Sequence, residues 1–134
     1  MNTILVDSSV LLDILSNDPV FYDWSSTMVE SLASESGLVI NALIYAEVSS
    51  RFKQIEELDE ALPQFLYRRE ALPFEAAFLA GKAFLKYRRQ GGSRTAPIAD
   101  FYIGAHAAVA GYKILTRDPR RFRRYFPTVE LIAP

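Results

Sequence analysis

The sequence predicts an α/β fold with a central parallel β-sheet. Three observations predict it: short apolar runs recur along the chain, segments with helical periodicity lie between them, and cap or turn residues mark the boundaries. The chain has 134 residues, of which 50% are hydrophobic and 13% aromatic. That length and composition suit one domain with a substantial core, so we expect a single domain over residues 1–134.

Four apolar runs are predicted to be β-strands, and a fifth candidate is weaker. The runs are TILV (3–6), LVI (38–40), KILT (113–116) and VELI (129–132), with the weaker candidate at EAL (70–72). Their β-branched and apolar residues favour strands. Because helical segments separate the runs, we expect neighbouring strands to be parallel.

Caps and periodicity predict the helices. Asp18-Pro19 is a typical helix start and predicts a helix to about Ser34. Asn41 is placed to cap the next helix, ALIYAEVSSRF. Gly111 is a typical residue to end a later helix. Three further helices are predicted at about residues 55–67, 74–89 and 97–110, with a flexible loop, RRQGGSRTAP, at residues 88–97.

The net charge of −1 conceals an uneven distribution along the chain. Residues 1–81 carry 4 basic and 13 acidic side chains, whereas residues 82–124 carry 11 basic and 2 acidic ones. The segment TRDPRRFRRYFP (116–127) holds five arginines around a single carboxylate, Asp118. Such a basic region suits a polyanionic partner such as nucleic acid, although a solvated basic surface is the alternative.

Two carboxylates follow predicted strands at equivalent positions. Asp7 comes directly after TILV, and Asp118 follows KILT by one residue. Because the carboxyl ends of parallel strands meet at one edge of a sheet, where ligands collect, both acids are expected at the same edge.

Two further acids lie on apolar faces of predicted helices. Leu43 and Ile44 flank Glu47 at i−4 and i−3, and Asp100 has Ala107 at i+7. Acids on such faces are unfavourable unless they are paired, protonated or metal-bound. No cation is evident near the four acids in the sequence, so a divalent cation is the simplest way to neutralise them.

Each acid also has a purely structural alternative. Asp7 and Asp118 could each cap a short helix that starts at the next residue. Glu47 could pair with Arg51 at i+4. Asp100 could sit in a first helical turn because the helix dipole favours a negative charge there.

Several other chemistries are excluded by composition. There is no cysteine, so thiolate metal sites and disulfides are impossible, and the single histidine, His106, excludes a two-histidine nuclease. His106 lies six residues after Asp100, about 120° away around a helix, so a structural role is expected. Ser8 and Ser9 lack a histidine base, and QGGSR lacks the Lys-Ser/Thr end of a P-loop. No second aspartate follows Asp7 at two residues, which argues against an aspartyl-phosphate phosphatase.

The sequence also predicts a cytoplasmic location. The first residues, MNTILVDSSVLLDIL, lack a basic n-region, and Asp7 interrupts the apolar run, which argues against a signal peptide. No apolar stretch reaches the ~18 residues needed to cross a bilayer.

Four motifs in order carry a family resemblance. ILVDSSVLLDIL, INALIYAEVSSRF, PIADFYIGAHAAVAG and ILTRDPRRFRRYFPTVELI resemble those of PIN-domain ribonucleases, most closely the VapC toxins of toxin–antitoxin pairs. The resemblance covers nearly the whole chain. It implies an α/β/α sandwich in which Asp7, Glu47, Asp100 and Asp118 meet around Mg²⁺ or Mn²⁺. It also implies a homodimer and a protein antitoxin that blocks the site.

The resemblance assigns roles to further residues. Ser9 stands where many similar proteins have an asparagine, and its hydroxyl can still donate a hydrogen bond; Ser8 and Thr116 are the other supporting hydroxyls. The candidates for binding the RNA backbone are Arg94, Arg117, Arg120 and Arg121, with Arg123 and Arg124 in the same basic segment. The predicted activity is metal-assisted hydrolysis of RNA phosphodiesters. Two alternatives stay open: a PIN-like RNA-binding module without catalysis, and a nuclease acting on DNA or flap structures.

Overall fold

A computed structural model of the chain describes residues 2–94 and 98–134, which form seven helices and five strands. The strands are β1 (Thr3–Val6), β2 (Gly37–Ile40), β3 (Tyr67–Arg69), β4 (Lys113–Leu115) and β5 (Leu131–Ile132). The helices are α1 (Ser8–Leu15), α2 (Tyr22–Glu35), α3 (Ala42–Ser49), α4 (Ile55–Ala61), α5 (Phe74–Arg89), α6 (Ala99–Ala110) and α7 (Arg120–Tyr125).

The five strands form one parallel sheet in the order β3-β2-β1-β4-β5. In the central pair, Val6 of β1 is in register with Leu115 of β4. The residues that follow these two strands therefore lie side by side at the carboxyl edge. The predicted α/β fold with a parallel central sheet is confirmed.

The chain path divides the helices between the two faces of the sheet. It runs outward from β1 to β2 and β3, then returns to place β4 and β5 on the other side of β1. Because parallel crossovers are right-handed, α1 to α4 cover one face and α5 to α7 the other. The result is a three-layer α/β/α sandwich. The connections diverge between β1 and β4, and this is where such folds form a crevice at the carboxyl ends of the strands.

The core is formed by the central strands and α6. Leu5, Val39 and Ile114 are completely buried in the sheet, and so is Phe101 on α6. Such continuous apolar burial is typical of parallel strands covered on both faces. On the outer side of α6, Gly104 leaves room for the ring of Phe126, which a Cβ atom at this position would overlap. A glycine is therefore required where the segment after α7 packs on α6.

Three predicted boundaries are wrong. No strand forms at residues 70–72, where the weaker candidate was predicted. The strand lies three residues earlier, at β3, where Tyr67 is in register with Leu38 of β2. The helix predicted over residues 55–67 ends at Ala61, and Pro63 follows its C-cap. The helix predicted to start at Asp18 begins at Tyr22.

Asp18 nevertheless has a capping function. Its carboxylate accepts hydrogen bonds from the backbone N–H groups of Val20 and Phe21, at 3.0 and 2.8 Å, and so closes a turn before α2. Asn41 caps α3 as predicted, because its side chain accepts a bond from the N–H of Ile44.

The predicted loop at residues 88–97 overlaps the end of α5, which continues to Arg89. Residues 95–97, including the predicted start of the helix at Pro97, lie outside the described residues. Within the described ranges, no helix is both long and apolar enough to cross a membrane.

Candidate active site

Asp7 lies at the centre of the carboxyl edge, directly after β1. Its Oδ2 atom accepts hydrogen bonds from the hydroxyls of Ser9 and Thr116, both at 2.8 Å. The side chain is only 4% exposed, and in the described part of the chain its Oδ1 atom is buried without a hydrogen-bond partner. The side chain makes no capping bond to α1, so the structural alternative for Asp7 does not apply.

This environment changes the acidity of Asp7. Burial raises its pKa from 3.8 to about 6; the bonds from Thr116 and Ser9 oppose the rise, and the charges of Asp100 and Glu47 add to it. A carboxylate with a bare oxygen among other acids is unfavourable as an anion unless a cation approaches it.

Glu47 projects from α3 toward the same edge. Its Oε1 atom accepts a hydrogen bond from the hydroxyl of Ser8 at 2.8 Å. Burial raises the pKa of Glu47, the bond from Ser8 opposes this effect, and the charge of Asp100 raises it further. Glu47 and Arg51 form no ion pair in the described structure, so the predicted alternative for Glu47 does not apply.

Asp100 lies in the first turn of α6 and faces α7. Its Oδ2 atom is 3.2 Å from Nη1 of Arg121. Burial raises the pKa of Asp100, Arg121 lowers it, and the charge of Asp118 raises it. Asp100 is the acidic residue of the first turn of α6, so the dipole alternative still applies to it, while its burial makes the charged form unfavourable.

Asp118 differs from the other three acids. Its side chain is 53% exposed and is held by Arg120, whose Nε atom is 3.1 Å from Oδ1. The pKa of Asp118 is lowered, first by the bond from the Arg120 side chain and also by the backbone N–H of that residue. Pro119, and not Asp118, is the N-cap residue of α7, and no side-chain capping bond is formed there, so the structural alternative for Asp118 does not apply. The N–H of Asp118 also donates to the Thr116 hydroxyl, which links it to Asp7.

The expectation that no cation lies near the acids is wrong for two of them. Arg120 neutralises Asp118, and Arg121 neutralises Asp100. Across the described residues, no group of three or more acidic or histidine side chains is arranged to hold a metal ion as it stands. Two of the four acids are directed at arginines instead.

The donor chemistry nevertheless suits a hard divalent cation. The bare Oδ1 atom of Asp7 and the carboxylates whose charges raise its pKa, Asp100 and Glu47, are oxygen ligands of the kind that Mg²⁺ and Mn²⁺ bind. A cation at this position would compete with Arg121 for Asp100.

The four predicted RNA-binding arginines differ in their surroundings. Arg120 and Arg121 lie on α7 beside the acids. Arg94 is exposed, and its backbone N–H donates to the hydroxyl of Tyr87 at 3.4 Å. Arg117 instead contacts Asp13 and lies 5.1 Å from the ring centroid of Phe21.

Asp13 is an important residue that the sequence interpretation missed. It is buried on α1, where it accepts hydrogen bonds from Ser25 at 2.8 Å and from Arg117 at 3.2 Å. These contacts join α1 and α2 to the segment after β4. Its position within the apolar run LLDIL was an available signal that this acid is buried.

A second missed feature is a buried hydrogen-bond network around His106. Its Nε2 atom is 3.0 Å from Oε1 of Glu70, and its Nδ1 atom is 3.0 Å from the amide nitrogen of Asn41. Since that amide nitrogen can only donate, Nδ1 accepts and Nε2 carries the proton. The hydroxyl of Tyr112 also donates to Glu70. The network joins α3 to α6, so the predicted structural role fits the position of His106.

Comparisons with known proteins place the fold in a family. The PIN domain model matches residues 4–126. The chain belongs to the PIN-domain family. The resemblance inferred from the four motifs is therefore confirmed, while a comparison with curated proteins found no match.

Several solved structures share this PIN fold along nearly their whole length. A chain of VapBC2 from Rickettsia felis, bound to a DNA fragment from its promoter, is similar over 98% of both chains, with a TM-score of 0.74 and 19% identity. VapBC-1 from nontypeable Haemophilus influenzae is similar over 98% of this chain and 97% of that one, with a TM-score of 0.74 and 16% identity. A chain of FitAcB from Neisseria gonorrhoeae is similar over 96% of this chain and 96% of that one, with a TM-score of 0.69 and 20% identity. At these identities the likeness is one of fold.

Proposed function

We propose that this PIN-domain protein is a metal-dependent endoribonuclease and the toxin of a VapBC-type toxin–antitoxin pair that acts in the cytoplasm. The main support is Asp7, a buried carboxylate that has one oxygen without a hydrogen-bond partner in the described structure and is surrounded by the charges of other acids. A structural acid would be fully paired, as Asp13 is. The unpaired oxygen of Asp7 instead supports the proposal that this residue binds a cation.

Asp7, Glu47 and Asp100, with Asp118 at the edge, would hold Mg²⁺ or Mn²⁺. Such a cation activates water and stabilises charge on the leaving oxygen of a phosphodiester. The protein contributes the positions of the side chains that would hold the cation. The Ser9 and Thr116 hydroxyls fix Oδ2 of Asp7 and so direct Oδ1 into the site.

The arginines of α7 are the proposed phosphate contacts. Arg120 and Arg121 lie beside the acids, and a phosphate could take the place of the carboxylates as their partner. Substrate binding would then release Asp100 and Asp118 for the cation. Hydrolysis would therefore require both the binding of the substrate phosphate and the binding of the cation. Before they bind, Asp100 is held by Arg121 and Asp118 by Arg120.

The proposed partners are a cognate antitoxin and a second copy of the chain. Three structural neighbours are VapBC structures, and another is a toxin–antitoxin complex from Klebsiella pneumoniae. Arg121 already contacts Asp100 within this chain, so an arginine side chain fits this part of the site. An antitoxin could supply a further arginine or lysine to the acids and stop hydrolysis.

The decisive experiment compares matched RNA and DNA. The purified protein should cut a single-stranded RNA in the presence of Mg²⁺ or Mn²⁺, should stop when EDTA is added, and should leave DNA of the same sequence intact. Cleavage of the DNA or of a flap substrate would favour that alternative. RNA binding without cleavage under any divalent cation would indicate a binding module and would refute the proposed activity.

A separate experiment tests the partner. Expression of the protein alone should inhibit growth, and co-expression with the product of the adjacent reading frame should restore it and yield a stable complex. Growth inhibition that no adjacent product relieves would contradict the toxin–antitoxin assignment, while leaving the nuclease assignment unaffected.

A further inference from the structure

A cavity of about 350 Å³ lies beside the acids, between α5, α6 and α7. The cavity is lined by the acids Asp100 and Asp118, by the tyrosines Tyr87 and Tyr125, and by arginines of α7, including Arg124. The volume lies in the range of small-ligand pockets. A pocket that combines aromatic rings and positive charge next to a phosphodiester-cleaving site suits a nucleotide.

The aromatic wall is held in place by a buried ring. Phe101 is fully buried, and its ring centroid is 5.3 Å from that of Tyr125 and 5.5 Å from that of Tyr87, both in edge-to-face arrangements. On another side of Tyr87, Gly92 packs so closely that a Cβ atom would overlap the ring. The wall is therefore formed before any ligand binds, which lowers the entropy cost of binding.

Arg124 supplies a positive charge that is not neutralised by a carboxylate among the described contacts. Its Nη2 atom donates to Oε1 of Gln90 at 2.9 Å, and the Tyr125 hydroxyl donates to the same oxygen at 3.1 Å. Its guanidinium lies 5.5 Å from the ring centroid of Tyr125. Arg120 and Arg121, by contrast, are paired with acids. Arg124 can therefore bind a phosphate without first releasing a carboxylate, whereas Arg120 and Arg121 cannot.

We propose that this cavity binds one nucleotide of single-stranded RNA next to the scissile phosphate, with its base packed against Tyr125 and a phosphate held by Arg124. The inference rests on the proposed nuclease function. Aromatic rings beside positive charge recognise unpaired bases, because only an unstacked base offers a free face. The substrate class is therefore a single strand or loop, since a base within a duplex cannot enter.

The test uses the Asp7→Asn variant to prevent cleavage, because Asp7 is not among the described residues that line the cavity. Affinity is measured for a single-stranded RNA and for versions that lack the base at one position after another. We expect one position at which removal of the base weakens binding about tenfold. With Tyr125→Leu added, that penalty should disappear, whereas Tyr125→Phe should retain it. An equal penalty with and without the Tyr125 ring, or the absence of a sensitive position, would overturn the proposal.

A second comparison remains available if Tyr125→Leu fails to fold. Arg124→Gln is compared with Arg123→Gln, a matched control because Arg123 lies on the same helix and does not line the cavity as described. Arg124→Gln should reduce the salt dependence of single-strand binding by about 0.7 in log–log slope, and Arg123→Gln should reduce it less. Equal slopes would overturn the assignment of Arg124. These are binding measurements, so their outcome does not depend on cleavage. If the wild-type protein did not cleave RNA, the proposed nuclease function would be refuted instead.

Discussion

Replacing Asp7 with asparagine removes a buried charge and keeps the shape of the side chain. In the folded protein the pKa of Asp7 is raised from 3.8 to about 6, chiefly by burial. A rise of this size corresponds to about 3 kcal/mol of free energy. The folded state therefore retains a proton on Asp7 at pH values where the unfolded chain has already released it.

The sign of the pH dependence follows from this difference. Between about pH 4 and pH 6 the folded state binds more protons at Asp7 than the unfolded state, so this residue makes the protein less stable as the pH rises. Above pH 6 the full penalty of about 3 kcal/mol is present. The asparagine variant lacks the penalty, but its amide nitrogen, placed where Oδ1 was, costs about 1–3 kcal/mol if it stays unpaired.

The measurable quantity is the difference in unfolding free energy between wild type and variant. Urea unfolding in EDTA at pH 4, 5, 6 and 7.5 should show this difference shifting by about 2 kcal/mol in favour of the variant as the pH rises, because a small part of the penalty is already present at pH 4. The unpaired amide adds only a constant, and titrating groups that do not interact with Asp7 cancel in the difference. Asp23→Asn, the same substitution at an exposed acid of α2, is the control for the chemical change itself. A difference for Asp7→Asn that does not change with pH would refute the description of Asp7 as a buried, electrostatically strained acid.

Further substitutions test the contacts around the site. Arg121→Gln releases Asp100 and should tighten Mn²⁺ binding about tenfold by calorimetry; weaker binding would mean that the arginine supports the cation site. Neutralising Arg120 and Arg121 together should reduce the log–log salt slope of RNA binding by about 1.4, with a smaller effect on cleavage at saturating RNA; an unchanged slope would make them structural. Arg117→Leu leaves Asp13 buried without its cation and should cost about 3 kcal/mol in urea unfolding, and a loss below about 1 kcal/mol would contradict this role.

The sequence predicted the parts of the fold that are buried on both sides. β1 and β2 consist almost wholly of buried apolar residues, so their signal is continuous. β3 was misplaced because its sequence, YRR, buries one residue in three and is defined by pairing with β2 at the sheet edge. Neither the pairing partner nor the position of an edge strand is encoded in local apolar patterning. Pro63 was an available signal for the end of α4, because a proline disfavours the helical conformation of the residue before it.

The site was predictable where residues follow strands and less so where they pair at long range. Asp7 and Asp118 could be assigned to one edge because β1 and β4 are both recognisable in the sequence. The pairing of Arg121 with Asp100 joins residues 21 positions apart in different helices, and no local pattern reports it. The same holds for Arg117 and Asp13, which are 104 residues apart.

The acids at the carboxyl edge form the proposed metal-dependent nuclease centre. The most direct measurement is the Mg²⁺-dependent rate of RNA cleavage by wild type and Asp100→Asn, each shown by circular dichroism and thermal unfolding to be folded. The rate of RNA cleavage by the variant should be at least ~100-fold lower, because the cation would lose a ligand and the attacking water would no longer be activated. It should also retain the wild-type fold, since the pKa of Asp100 is raised by burial and its charge is unfavourable there. A folded Asp100→Asn protein that cuts RNA at the wild-type rate would contradict this proposal.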